Sequence, residues 1–198
     1  MAGHDPCVSN PATFVVSRRS IVTALASAGV LCEPPLCAPG VRAATDVSAD
    51  DERYMRLALD EARQGDFPFG AVIVRDGQVL AYGRNLGRSN GDPTAHAEMI
   101  AIRRCLADHG TTTLQGSTLY TSGEPCAMCM GAILWCQIGR LVFAASVQQI
   151  ATKMDDIMIS SADLAAKAPF VPITITGGVL ANEAMCLQNR LSSSGCRR

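Results

Sequence analysis

The stretch Pro125-Cys126-Ala127-Met128-Cys129 decides how this chain reads. Two cysteines three apart are entered through a proline and open an apolar run over 130–135. Proline suits a first helical position, where its missing N–H would have no intrahelical partner anyway. Positions i and i+3 share a helix face, so the spacing predicts two sulfurs pointing the same way from the first turn of a helix that reaches about 137. The positive end of a helix favours thiolate over thiol, and two thiolates clamp a soft or borderline ion such as zinc. Thirty residues upstream, Pro93-Thr94-Ala95-His96-Ala97-Glu98 supplies an imidazole and, two residues on, a carboxylate. Thr94 is the expected cap of a helix running from there to about 107.

Outward from these motifs, hydrophobic periodicity assigns the remaining elements. Ser48 and the acids at 50–52 mark a helix start, and Tyr54, Met55, Ala58, Leu59 and Ala62 give it one buried face. The segments 69–75 and 79–83 read as two strands around Asp76-Gly77, a hairpin turn. Short strands are expected at 118–121, 141–145 and 173–176, and a terminal helix at 182–191. The stretch 148–168 reads as irregular with one helical turn. Helix, hairpin, then helix and strand in alternation predict a three-layer α/β/α sandwich on a mixed central sheet of about five strands. Both chemistry-bearing helix starts follow strands, so both fall at the sheet edge where sites of this architecture lie.

A chain of 198 residues with 48% hydrophobic content suffices for one domain and a real core. Its formal net charge of −1 argues against a broad basic face for a polyanion. Nine cysteines without dense, regular spacing do not make a disulfide framework, and Cys105, Cys136 and Cys186 read as small buried hydrophobes. Residues 1–44 read as a targeting segment and 45–198 as the domain proper. Ser17-Arg18-Arg19-Ser20 is a twin-arginine pattern, and the apolar run 21–31 is too short for a bilayer, which needs about 20 residues. Val41-Arg42-Ala43-Ala44 is a loose A-x-A cleavage site. The expectation is export to the periplasm, with no membrane attachment of the mature form; the protein stays cytoplasmic if the leader is not functional. The leader holds three arginines and two acids, so its removal leaves a net charge of −2.

His96, Cys126 and Cys129 are three ligands. A structural zinc site has four, whereas a catalytic one keeps the fourth position for water. Cys136 lies seven residues past Cys129, about 10 Å along a helix, and Cys105 lies further still from His96. Neither reaches the same ion; Cys186, on another element, stays open as a fourth ligand. Glu98 is badly placed as a co-ligand but can stand beside the water site. Zinc lowers the pKa of water towards ~7, and a neighbouring carboxylate can take the proton and hand it on. Such equipment suits attack on an electron-poor carbon that bears an amino group.

Thr94-Ala95-His96-Ala97-Glu98 together with Glu124-Pro125-Cys126-Ala127-Met128-Cys129 resembles the zinc-dependent cytidine-deaminase-fold enzymes. The resemblance covers most of 50–190. It implies one zinc per chain on His96, Cys126 and Cys129, Glu98 as proton shuttle, and hydrolytic deamination. Within the family the chain resembles two branches, guanine deaminase with its nucleobase-acting relatives and the bacterial tRNA wobble-adenosine deaminase. Both place an asparagine where Asn85 stands, and there it binds the base or sugar. Leu134-Trp135 resembles the tyrosine–tryptophan pair of the base-acting branch, whose indole lines the pocket. Asp155-Asp156 resembles that branch's Phe-Asp-Asp segment, with Met154 for the Phe, and Asp156 is a second catalytic candidate. Phe69 sits where the branch has a pocket Phe, and Ala97 completes the expected substrate contacts. The non-aromatic tail 187–198 departs from guanine deaminase. The expected substrate is therefore a small purine base or nucleoside, with tRNA less favoured, and the expected assembly is a homodimer. Two other readings stand beside this one: a non-catalytic zinc-binding module, and a dithiol oxidoreductase at Cys126/Cys129.

Overall fold

The computed structural model describes the backbone of residues 42–43 and all of residues 47–189. The twin-arginine pattern and its apolar run lie outside the described residues. Strand β1 (Arg42–Ala43) precedes helix α1 (Ala49–Gln64). The Ser48 hydroxyl accepts the Asp51 N–H at 3.1 Å, and the Asp51 carboxylate accepts the Ser48 N–H at 3.0 Å. This reciprocal cap satisfies two orphan donors, and the acids of the first turn oppose the helix dipole. The five apolar residues expected to form the inner face of α1 are all buried.

β2 (Gly70–Arg75) and β3 (Gln78–Arg84) pair antiparallel across Asp76-Gly77, whose φ angles are 50° and 76°. Positive φ at both central residues matches the right-handed twist of the flanking strands. α2 (Ala97–His109), β4 (Thr118–Gly123), α3 (Ala127–Trp135), β5 (Arg140–Ala145), α4 (Val147–Ile150), α5 (Ser161–Ala166), β6 (Thr174–Thr176) and α6 (Ala181–Gln188) follow. The sheet order is β1-β6-β5-β4-β2-β3. The pairs β2–β3 and β2–β4 are antiparallel; β4–β5, β5–β6 and β6–β1 are parallel.

Side chains alternate across the sheet and sort the core in two. Ala71, Ile73, Leu119 and Leu141 pack with residues of α2, α3 and α5. Val72, Val74, Tyr120 and Val142 pack with residues of α1 and α6. Three layers result, as expected. The helices lie close to the strands because two glycines allow it. A Cβ on Gly70 would stand 2.1 Å from the Ala58 carbonyl oxygen, and one on Gly83 would stand 2.1 Å from that of Ala97.

Four expectations are corrected. The sheet has six strands, because Arg42–Ala43, assigned to the leader, pairs with Thr174 and Ile175. α2 starts at Ala97 rather than after Thr94, whose N–H and hydroxyl both donate to Asp92 instead. α3 starts at Ala127, so Pro125 and Cys126 precede it, and it ends at Trp135, with Gln137 at φ 57°. The stretch read as irregular holds two short helices, capped by Ser146 and Ser160.

Candidate active site

His96 and Cys126 each occupy the position just before a helix, with extended backbone angles and no side-chain cap bond. A residue there is free of helical side-chain constraints while the first N–H groups point at whatever it holds. Cys129 lies in the first turn of α3 and is buried. These placements bring the three predicted donors together. His96 Nδ1 lies 3.6 Å from Cys126 Sγ and 3.6 Å from Cys129 Sγ. An ion bound tetrahedrally, at about 2.3 Å from sulfur and about 2.0 Å from nitrogen, would separate those donors by about 3.6 Å. The donor set therefore fits zinc in both chemistry and spacing. Among the described residues these three alone form the group, and Cys186 is exposed on α6, outside it.

The electrostatics are those of a cation site. The Cys126 thiol is lowered, chiefly by its hydrogen bond with Cys129 and, against the effect of burial, by His96. Cys129 is pushed up by that same hydrogen bond and by burial. The imidazole is raised, first by its hydrogen bond with Cys126. A cation on the three donors would replace these shared protons.

Glu98 is only 4% exposed. Burial raises its carboxyl, opposed in part by hydrogen bonds, including the Thr121 hydroxyl, which donates to Oε1 at 2.9 Å. Cys129 is within hydrogen-bonding reach of the same carboxylate. Asp156 lies close enough to His96 and Cys126 for mutual charge effects; burial raises it, and the nearby Cys126 raises it further.

A cavity of about 410 Å³ opens beside His96 and is lined by Phe67, Phe69, Asn85, Arg88 and Met154, with Gly87, Gly91 and Pro93 completing its wall. Asn85 Oδ1 accepts the Gly87 N–H at 3.1 Å, which leaves the amide nitrogen as the group this side chain offers the cavity. Two expected substrate contacts do not line it. Ala97 is wholly buried in the core between α2 and the sheet. Trp135 is 79% exposed at the far end of α3, its ring centroid 5.5 Å from that of Phe170. The resemblance put this indole at the pocket, but α3 already buries Met130, Ile133 and Leu134, and Trp135 falls on the remaining face. Conversely, sequence reasoning missed Thr121, Phe67 and Arg88. Only the inward alternation of β4 could have pointed to Thr121; the other two sit on loops without a pattern.

An α/β/α sandwich here presents one imidazole, two thiols and a buried carboxylate at helix starts, a group that could hold one metal ion beside a proton acceptor. The model of the cytidine and deoxycytidylate deaminase zinc-binding region matches residues 48–145. The guanine deaminase of Bacillus subtilis is 43% identical over 131 residues, covering 63% of this chain and 84% of that one. The tRNA-specific adenosine deaminase of Haemophilus influenzae is 48% identical over 101 residues, 48% of this chain and 58% of its own length. The solved structure of NE0047 in complex with 2,6-diaminopurine superposes with a TM-score of 0.64 at 27% identity, covering 77% of this chain and 87% of that one. The chain belongs to the cytidine/deoxycytidylate deaminase family. It spans under two thirds of the length of most other curated relatives it matches.

Proposed function

We propose that this protein is a zinc-dependent hydrolytic deaminase of a purine nucleobase or nucleoside such as guanine. The reading rests on one observation: three donors spaced for a tetrahedral ion beside a buried carboxylate, at the wall of a cavity sized for a small ligand. His96, Cys126 and Cys129 hold the zinc. When bound, it supplies a Lewis acid that makes water acidic near neutral pH. Glu98 accepts the proton lost as water attacks the amino-bearing carbon and delivers it to the purine ring. Thr121 fixes one carboxylate oxygen for that transfer, leaving the other to receive the proton. The added hydroxyl then gives up its proton, which Asp156 relays to the leaving amine, so that the C–N bond breaks, ammonia departs and the carbonyl forms. Phe67 and Phe69 flank the base, and Asn85 reads its polar edge.

The purine reading draws support from the largely apolar, aromatic wall of the cavity and from the long match to guanine deaminase. A tRNA adenosine deaminase is the second reading, supported by the match to the Haemophilus enzyme. Export through the twin-arginine leader and pairing as a homodimer belong to the same proposal. The test is a panel of guanine, adenine, cytosine, their nucleosides and a tRNA anticodon stem-loop, incubated with the zinc-loaded protein while ammonia is measured. Release from a free purine or its nucleoside supports the proposal, release from the stem-loop alone supports the second reading, and no release from any of them removes both.

A further inference from the structure

We infer that Glu124 is a positioning residue, whose buried carboxylate ties both ends of the segment carrying Met154 and Asp156 to the cysteine loop. Glu124 lies between β4 and Pro125 and is 7% exposed. Its Oε2 accepts the Val147 N–H at 2.9 Å, and its Oε1 accepts the Ser161 N–H at 2.7 Å. Val147 opens α4 and Ser161 opens α5, so one side chain reaches across the whole intervening segment.

The caps of the two helices make room for this. Ser146 and Ser160 each accept an N–H from three residues further along, at Gln149 and Asp163. That leaves the first N–H of each helix to Glu124. Among the described residues no cation pairs with this carboxylate; two helix starts meet its charge instead. Between its ends the segment has one apolar anchor, Ile150, buried in the core shared with α1 and α6 with Met154 packed against it; from there to Ser160 its hydrogen bonds are local. Ile157 N–H donates to the Asp156 carboxylate, Ile159 N–H donates to the Ile157 carbonyl, and Ile157, Met158 and Ile159 are exposed. The placement of Asp156 near His96, in the stretch between Met154 and Ser161, thus depends on the anchored ends. That Asp156 has a role to lose rests on the proposed function; the tether itself does not.

Two variants break the link from opposite sides. Glu124→Gln keeps the shape but retains one acceptor oxygen of the two. Ser161→Pro removes the other donor at a first helical position, where proline is tolerated. Ser160, at φ −69° and ψ 153°, already has the extended backbone that precedes proline. The Ser161 hydroxyl has no hydrogen-bond partner, so no other bond is lost with it. The readout is amide hydrogen exchange, which needs no substrate. In each variant exchange over 150–160 should rise roughly tenfold while β4 and β5 keep their protection and zinc stays at one per chain. The double variant should exchange no faster than the faster single one. In turnover, Glu124→Gln should lower kcat in the parent but change it little on an Asp156→Asn background. Unchanged exchange over 150–160 in both variants overturns the inference. So does a loss of protection spread evenly through β4 and β5, or a zinc loss that Ser161→Pro does not share. If Glu124→Gln does not fold, exchange in Ser161→Pro decides alone.

Discussion

Among the described residues, Asp51 accepts four hydrogen bonds on its carboxylate. Besides capping α1 it accepts both guanidinium nitrogens of Arg140, at 2.6 and 3.0 Å, and the Tyr120 hydroxyl at 3.0 Å. Burial alone would raise its carboxyl, but the bonds from Arg140, the Ser48 N–H and Tyr120 reverse this and hold it far below the usual carboxylate range. A folded-state value below the unfolded one contributes stability that is present in full above about 4, the unfolded value, and is lost as pH falls further. Replacing Asp51 by Asn leaves Arg140 without its partner and should cost about 3 kcal/mol, towards the lower end for a buried pair because Arg140 is partly exposed. Denaturant titration at pH 7 and pH 3 measures this: the gap between parent and variant should narrow at the lower pH. Glu98 differs in kind. It is buried beside thiols with one hydroxyl for company, an arrangement that does little for stability and is suited to moving protons.

The element that carries Glu98 is positioned by a glycine. β3 passes so close to α2 that a methyl group on Gly83 would meet the Ala97 carbonyl oxygen and the Ala101 backbone nitrogen. Gly83→Ala should therefore displace the first turn of α2, costing about 1–3 kcal/mol by overpacking and more activity than that loss alone explains. A thermal melt beside a turnover assay separates the two effects. At this scale the sequence was partly legible. The capped start of α1 and the Asp76-Gly77 turn were plain because local chemistry dictates them. The starts of α2 and α3 were each read early, because a threonine or proline near a helix imitates a start signal. Thr94 in fact bonds to Asp92, and Pro125 leads into Cys126 from outside the helix. Of α4 and α5 only one helical turn was foreseen, because helices of four and six residues show no periodicity. β1, two residues long, exists only through its partner β6.

Over the whole molecule, chemistry was more legible than shape. The three donors and Glu98 came from motif spacing alone, since a metal site constrains residue type at each position. Trp135 and Ala97 were assigned by resemblance, and the folded chain puts one on the surface and the other in the core. Glu124 was read only as part of its motif, and its bonds could not be, because its partners lie 23 and 37 residues away in sequence. The donors join the start of α2 to that of α3, so zinc held there only by the folded state would stabilise it, by about 4 kcal/mol at a thousandfold excess over the dissociation constant. Removing zinc with a chelator should lower the melting temperature by several degrees or more, and returning zinc should restore it. The most direct test of the central claim is ammonia release by Glu98→Gln at one zinc per chain. The proton-shuttle account predicts unchanged zinc content with turnover down by about 10²–10⁴. Turnover close to that of the parent would contradict it.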